Sequence, residues 1–446
     1  MKGDSLRRGA TVVILALATA LAGVRASGAA PSGKLEIFSW WTAGGEAQAL
    51  NALYAVYRKH YPGVEIVNAV VAGGAGSNAQ GTLQRRMLMN NPPDTFQVHA
   101  GQELISTWVQ TFYMAPLTDV FKSEGWTNVM PGGILDIISS DQGKNSTTTP
   151  GLPIAGRTSL HWNSYNVDLW AVPVDIHRAN VLWYNQKILS DAHLTPPGTF
   201  DEFFTAAAAL KAKGIVPLVL GDSEGWEDGH VFEAVLIATL GPDGYAGLWN
   251  GRTSWTSSKV ATALVTFKQM LSYVNADHAK LTWDGASEDI ANGKGAMMIM
   301  GDWVDGWFKS KGFKGYGWAP APGNDKVYDT LSDTFGLPKA AKNKDNVTAW
   351  LRIVGSREGQ EAFNPIKGSI CARTDCSPDL FGEYQQWAIA RWKTDQIVPS
   401  VTHGAAASQQ WATAYGNAIA GFVTSGNVMA TQKTLQQACV TAGMCR

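Results

Sequence analysis

The chain has 446 residues, of which 45% are hydrophobic and 16% charged, with a formal net charge of −1 at pH 7. This composition excludes a disordered chain, and the length exceeds one ordinary core, so two lobes are expected. Near-neutral charge gives neither a nucleic-acid surface nor a basic membrane-binding face.

The N-terminus reads as a targeting segment. Lys2, Arg7 and Arg8 precede an uncharged, mainly apolar run from Gly9 to Val24. The run is short for a membrane span. Small residues follow, with Val24-Arg25-Ala26 and Ser27-Gly28-Ala29 as cleavage sites. Residues 1–29 are therefore assigned to a secretory signal peptide, outside the fold. No cysteine precedes Cys371. A lipid-anchored exported protein carries a cysteine just after its signal, so the mature chain is expected to be free in a bacterial periplasm.

Strand and helix patterns then alternate. "KLEIFS" from Lys34 reads as a strand, and "WWTAGGE" as a turn ending in an acidic residue. The helix that follows places Leu50, Leu53, Tyr54, Tyr57 and Tyr61 on one face and stops at Pro62-Gly63. "VEIVNAVVA" is a strand, Thr82 to Asn90 a helix and "DTFQVHAG" a strand. This is the doubly wound α/β pattern, in which ligands sit at the carboxyl ends of strands. Residues 139–166 are polar and read as loop or hinge. "LWAVPVDIHRANVLWYN" reads as two strands. A helix after Thr199 has Thr199 as cap, Glu202 completing a capping box and Gly214 as its end. "IVPLVLG", "GKGAMMIMGDW" and "DTFGLPKAAKN" are further strands, and the chain beyond about 344 is mostly helical. The expected lobes are 33–142 with 300–343 returning to it, and 143–299 with 344–446.

The four cysteines are Cys371, Cys376, Cys439 and Cys445. An even count in an exported chain reads as disulfides, and four cysteines allow three pairings. Cys371–Cys376 and Cys439–Cys445 are favoured, because each closes a short loop at little entropic cost. No histidine falls among them, so no metal site is assigned there.

Residues 165–218 carry a resemblance. A strand ends in Val-Pro, a second reads "LWYN", and a Pro-rich turn leads to the "TFDEF" helix. With "FSWWTAGGE", "QVHAG", "GKGAMMIMGDW" and "FNPIKGSICAR", this resembles the extracellular solute-binding proteins (family 1) of ATP-driven carbohydrate importers. The glucose- and mannose-binding branch looks closest. The resemblance implies an α/β, two-lobed periplasmic-binding-protein fold, type II-like. Each lobe would be a doubly wound sheet with helices, and the ligand would lie in the interlobe cleft.

It also implies a site. Trp40 and Trp41 point in opposite directions on an extended segment, so one is expected in the cleft and the other in the core. Glu46 opens a helix, where a carboxylate gains from the dipole and can accept from sugar hydroxyls. Gln97 and His99 share one face of their strand. Trp283 corresponds to the family's stacking tryptophan. Asp333 is expected as an acceptor, Lys367 as a donor from the second lobe, and His403 as part of a small-residue loop that approaches the ligand. Asp302-Trp303 is a secondary candidate for the hinge or the site wall. The acidic stretch 222–230 lacks the alternation of a calcium loop and reads as a solvated loop presenting Trp226.

The 18 tryptophans suit sugar recognition as well as packing, since a flat ring covers the C–H face of a pyranose. The expected function is binding of a monosaccharide (glucose, mannose or galactose) and delivery to a membrane permease by a monomer, without cofactor, metal or catalysis. Two alternatives stand beside it: a secreted glycoside hydrolase, which needs a pair of carboxyls about a glycosidic bond, and the same fold binding an oligosaccharide.

Overall fold

The first strand, Gly33–Phe38, buries Leu35, Ile37 and Phe38. The helix behind it, Gly44–His60, buries Leu50, Leu53, Tyr54 and Tyr57, the face its periodicity demands. In this computed structural model, residues 31–73, 76–141, 162–163 and 167–445 are described. The expected targeting segment and most of the polar stretch 139–166 lie outside them. Among the described residues no helix is long and apolar enough to cross a membrane.

Two main sheets, a small three-stranded sheet and the strand pair Ser139–Ser140 with Asp168–Leu169 organise the described residues. The first runs Val64–Asn68, Gly33–Phe38, Thr95–His99, Asp333–Gly336, Ala171–Pro173. Its first three strands are parallel, and Asp333–Gly336 is antiparallel to both its neighbours. The second runs Tyr316–Pro320, Val181–Asn185, Gly295–Met300, Val216–Leu218. The chain passes from the first sheet to the second through 174–180 and returns through 321–332. Both passages contribute to the small sheet, where Val327–Leu331 pairs with His177–Arg178 and with Gln396–Pro399. This two-lobed α/β fold thus has its crossing point in one narrow ribbon.

Local signals hold where side chains close their own turns. Thr199 caps Phe200–Ala212 and Glu202 completes the capping box. Both local disulfides are present, Cys371–Cys376 and Cys439–Cys445. The lobe expected for 344–446 departs from the structure over 344–367. Helices Lys344–Gly355 and Arg357–Lys367 pack on the Gly44–His60 helix, beside the first sheet. The reason is apolar complementarity: Trp350 meets Tyr54, Tyr57 and Phe335, and Phe363 meets Trp41.

Three helix ends meet closely there. A Cβ on Gly306 would lie 2.4 Å from the Lys367 carbonyl oxygen, and one on Gly45 would lie 2.7 Å from Gly306. Gly368 ends its helix at φ 99°, in the left-handed region that glycine enters without a Cβ clash. The absence of side chains at these points lets Lys367 approach Glu46. We expect Gly306→Ala to destabilise the protein by about 1–3 kcal/mol in chemical denaturation, the range for overpacking. Gly421→Ala, on an exposed helix surface where a Cβ meets nothing within 4 Å, should instead be neutral or stabilising by up to about 1 kcal/mol.

Candidate functional site

A cavity of about 280 Å³ opens where the two main sheets face each other. Eight of the nine residues expected from the sequence line it: Trp40, Trp41, Glu46, His99, Trp283, Asp333, Lys367 and His403. Gln97 does not. It stands one step behind, its Nε2 donating to Asp333 Oδ1 at 2.7 Å and its Oε1 accepting from the Trp40 backbone N–H at 3.2 Å. The shared face of Gln97 and His99 is real, but the strand carries Gln97 a residue pair deeper, opposite Phe335, while His99 lies opposite Asp333.

Trp40 is half-buried and packs on His99 with ring centroids 4.8 Å apart. Trp41 is buried against Phe335 and Phe363, yet its ring still forms cavity wall. Trp226 and Trp303 also line the cavity, so five tryptophans bound it. Trp226 precedes the Glu227–Trp249 helix, and Trp303 follows the Gly295–Met300 strand. Thr282 caps the helix that begins at Trp283 by accepting from the Gly285 N–H, which places Trp283 in the first turn at the cavity. The stretch 222–230 is not a solvated loop throughout: Glu227 and Asp228 are fully buried.

Lys367 is 1% exposed. Its ammonium pairs with Glu46 Oε1 at 2.6 Å and sits 5.5 Å and 5.7 Å from the ring centres of Trp41 and Trp303. Burial works against its charge, and Glu46, Asp333 and Asp175 outweigh burial, so its pKa is raised. The lysine reaches the cavity from beside the first sheet, not from the second lobe as expected, because its helix packs on Gly44–His60.

The most buried part of the site is a charge cluster around His177. Its Nδ1 meets Asp302 Oδ1, and its Nε2 lies 3.1 Å from Asp175 Oδ2 and 3.5 Å from Asp333 Oδ2. Asp302 Oδ2 also accepts from the Arg178 backbone N–H, and Asp175 Oδ1 from that of Asp333. Burial disfavours the imidazolium, but Asp175 and Asp302 overcome it and hold His177 well above the ordinary histidine value. Burial would likewise raise Asp333; the hydrogen bond from His177 and the charges of His99 and Lys367 reverse this and hold its carboxyl well below the usual range. Asp175 takes the opposite course, pushed up to about 6 chiefly by burial. Asp175, His177 and Asp333 bring one ligand atom each within 4.8 Å of one another, a spacing a cation could use. Here His177 and Lys367 already face those carboxylates.

On the far side, His403 Nε2 and His230 Nδ1 lie 3.0 Å apart. Burial lowers both, His230 to about 4 and His403 well below its usual value. Both are neutral rings that offer donor and acceptor nitrogens. His99 behaves differently. Burial opposes its charge, but Glu103, bonded to its Nδ1 at 2.7 Å, raises it. The site therefore presents an ionised acceptor, an ammonium donor and neutral imidazole inside aromatic walls. That is chemistry for recognising hydroxyl groups on an apolar frame.

Sequence reasoning did not find Asp175, His177 and His230. Asp175 and His177 alternate on an extended segment, so they share a face, and that alternation was the available signal. It lay inside a stretch read only as strand.

Fold and cavity together define a two-lobed ligand-binding protein. The family model described as bacterial extracellular solute-binding protein matches residues 34–361, and the chain belongs to that family. An uncharacterized ABC transporter extracellular-binding protein of Pyrococcus horikoshii is 36% identical over 402 residues, 89% of this chain and 85% of that one. A Mesorhizobium japonicum protein named "Probable sugar-binding periplasmic protein" is 29% identical over 404 residues, 87% of this chain and 89% of that one. Among solved structures, the bacterial solute receptor AcbH superposes with a TM-score of 0.78 at 16% identity, covering 92% of this chain and 99% of that one.

Two outcomes follow from the electrostatics. Replacing His177 by Gln leaves three buried carboxylates facing each other, and we expect a loss of about 3–5 kcal/mol, the range for a broken buried pair. Adding Asp302→Asn should recover part of that loss, which a double-mutant cycle by denaturation would measure. Asp228 has a folded-state pKa of about 8, raised mainly by burial. The folded state therefore holds a proton that the unfolded carboxyl, with a pKa of about 3.9, releases. Its contribution makes stability fall as pH rises from roughly 4 to 8. Asp228→Asn should flatten that slope in unfolding measurements across the window, with Glu227, pushed to about 9 by burial, leaving a remainder.

Proposed function

We propose that the cavity binds one pyranose, with glucose, mannose or galactose as ligand, and that the protein delivers it in the periplasm to an ATP-driven membrane importer. The observation that carries this reading is the set of five tryptophans closing around Asp333, Lys367 and the Glu46 carboxylate. Indoles cover the C–H faces of a sugar ring, while the charged groups take its hydroxyls through charge-assisted hydrogen bonds. The volume of about 280 Å³ lies just below the roughly 300–1,000 Å³ typical of small-molecule pockets, which suits a single ring. The name of the Mesorhizobium relative and the family's role in import support the same reading. Catalysis of glycoside hydrolysis is disfavoured at Asp333, since a general acid needs a raised pKa and Asp333 is held low.

Calorimetric titration of protein freed of carried-over sugar, with D-glucose, D-mannose, D-galactose, xylose and maltose, tests it. The expected result is one-to-one binding of a monosaccharide. Asp333→Ala should weaken it by about ten- to a hundredfold, the worth of a hydrogen bond to a charged group, and Trp283→Ala by up to about tenfold. No heat from any hexose, or sustained release of aglycone from aryl glycosides, would overturn the reading.

A further inference from the structure

Among the polar groups of the cavity, His403 is the one whose hydrogen-bonding role is not set by its own chemistry. Ionised Asp333 only accepts and Lys367 only donates, whereas a neutral imidazole donates from one nitrogen and accepts at the other. Which nitrogen does which decides what the ring asks of a sugar hydroxyl. His403 is buried among indoles, with the ring centres of Trp303 and Trp226 at 5.0 Å and 5.4 Å. Its Nε2 is taken by His230 Nδ1, so Nδ1 is the nitrogen left for a ligand.

One helix holds both the backbone and the ring of His403. Glu233 accepts from the Val401 N–H at 2.6 Å, the Thr402 N–H at 3.2 Å and the Ser400 hydroxyl at 3.1 Å. The Ser400 oxygen in turn accepts from the His403 N–H at 3.3 Å. His230 and Glu233 stand one turn apart on the Glu227–Trp249 helix and share a face. Glu233 sets the loop in place, and His230 meets the ring that the loop carries.

The contact between the rings imposes a rule. At 3.0 Å two N–H groups would collide, and two bare nitrogens would set lone pair against lone pair. One facing nitrogen therefore carries a proton and the other does not. Burial keeps both rings neutral, so each holds a single proton. If His230 Nδ1 carries the shared proton, His403 Nε2 is bare and His403 Nδ1 is a donor. If His403 Nε2 carries it, His230 Nδ1 is bare and His403 Nδ1 is an acceptor. In either case the two rings hold the same tautomer. A histidine tautomer is set by the bond its other nitrogen makes, and here that bond runs to a second ring behind the cavity wall.

We propose that His230 is a positioning residue that helps decide the specificity of the site: it ties the two rings to one shared tautomer, and so fixes whether His403 Nδ1 gives or takes the hydrogen bond of a sugar hydroxyl. The inference rests on the reading of the cavity as a pyranose site and adds how one of its polar contacts is set. A ring limited to one role leaves a wrongly placed hydroxyl unpaired, and that is the penalty by which epimers are told apart.

The test records long-range nitrogen–proton spectra of the full protein carrying isotope-labelled histidine, without sugar and with whichever of D-glucose, D-mannose and D-galactose binds. Ring signals are assigned by their loss in His230→Asn and His403→Asn. His230 and His403 should show the same tautomer in each state. Calorimetry then compares His230→Leu, which removes the contact, with His230→Asn, whose amide stands near the position of Nδ1 and can pair with His403 Nε2. His230→Leu should weaken the sugar about tenfold and change the His403 ring signals, while His230→Asn should hold the affinity within about threefold. The proposal is overturned if the two rings hold opposite tautomers, or if either carries a proton on both nitrogens. It is equally overturned if His230→Leu leaves the affinity and the His403 signals unchanged, or if His230→Asn binds no better than His230→Leu. The wild-type signals decide the coupling even where His230→Leu does not fold. If no hexose binds, the pyranose reading fails, and the sugar-free spectra still decide whether the rings are coupled.

Discussion

The site depends on one buried cation, the His177 imidazolium. It is enclosed by Asp302, Asp175 and Asp333 at the ribbon through which the chain crosses between its sheets. Taking carboxylates out of water costs several kcal/mol each unless their charge is met and their lone pairs are used. His177 meets the charge, and backbone N–H groups of Arg178 and Asp333 use lone pairs. The cluster is therefore not a store of stability. Its consequence is geometric: Asp333 is fixed from behind by His177 and Gln97 and kept ionised, with no need to reorganise when a ligand arrives. The same strand, Asp333–Gly336, closes the first sheet between Thr95–His99 and Ala171–Pro173, so the carboxylate's position and the sheet's integrity are one constraint.

Lys367 obeys a second, steric constraint. Its helix ends at Gly368, and its carbonyl presses on Gly306. Only helices without side chains at these contacts come close enough for the ammonium to meet Glu46 at 2.6 Å while lying over Trp41 and Trp303. Two sets of tryptophans contrast on the same logic. Trp126, Trp170, Trp183, Trp255, Trp350 and Trp411 are core residues, fully buried. The five around the cavity lie at element ends, where the backbone has left the hydrogen-bonded ladder and side chains can turn inward.

What was legible in the sequence was local or resembled a known pattern. The Thr199–Glu202 capping box and the two short disulfides involve residues a few positions apart, so their partners are on the page of the sequence. Eight cavity-lining positions came from motif order. What was not legible depends on distant packing. Nothing near Lys367 shows that its helix lies on Gly44–His60, because that choice is made by Trp350 and Phe363 against Tyr54, Tyr57 and Trp41. Asp175 and His177 looked like strand because extended backbone and a buried ionic pair share the same alternation. Gln97 shares the face of His99 but stands a step behind the cavity, since its pairing with the distant strand Asp333–Gly336 decides which residue stands at the rim.

The chemistry of the cavity is divided between the two sides. Glu46, His99, Asp333 and Lys367 come from elements packed on the first sheet, and Trp226 and Trp283 from elements packed on the second. Trp303 sits on a helix that touches both sides. The polar half is pre-set by the His177 cluster and can read hydroxyl positions without moving. A wrong epimer would leave one of these buried groups unpaired, and that penalty exceeds what an apolar wall can impose. The aromatic half has little positional demand but much area. A ring placed in the cavity would touch both halves at once, so it would favour arrangements that keep the two together. Neither half alone offers both directional polar groups and apolar area.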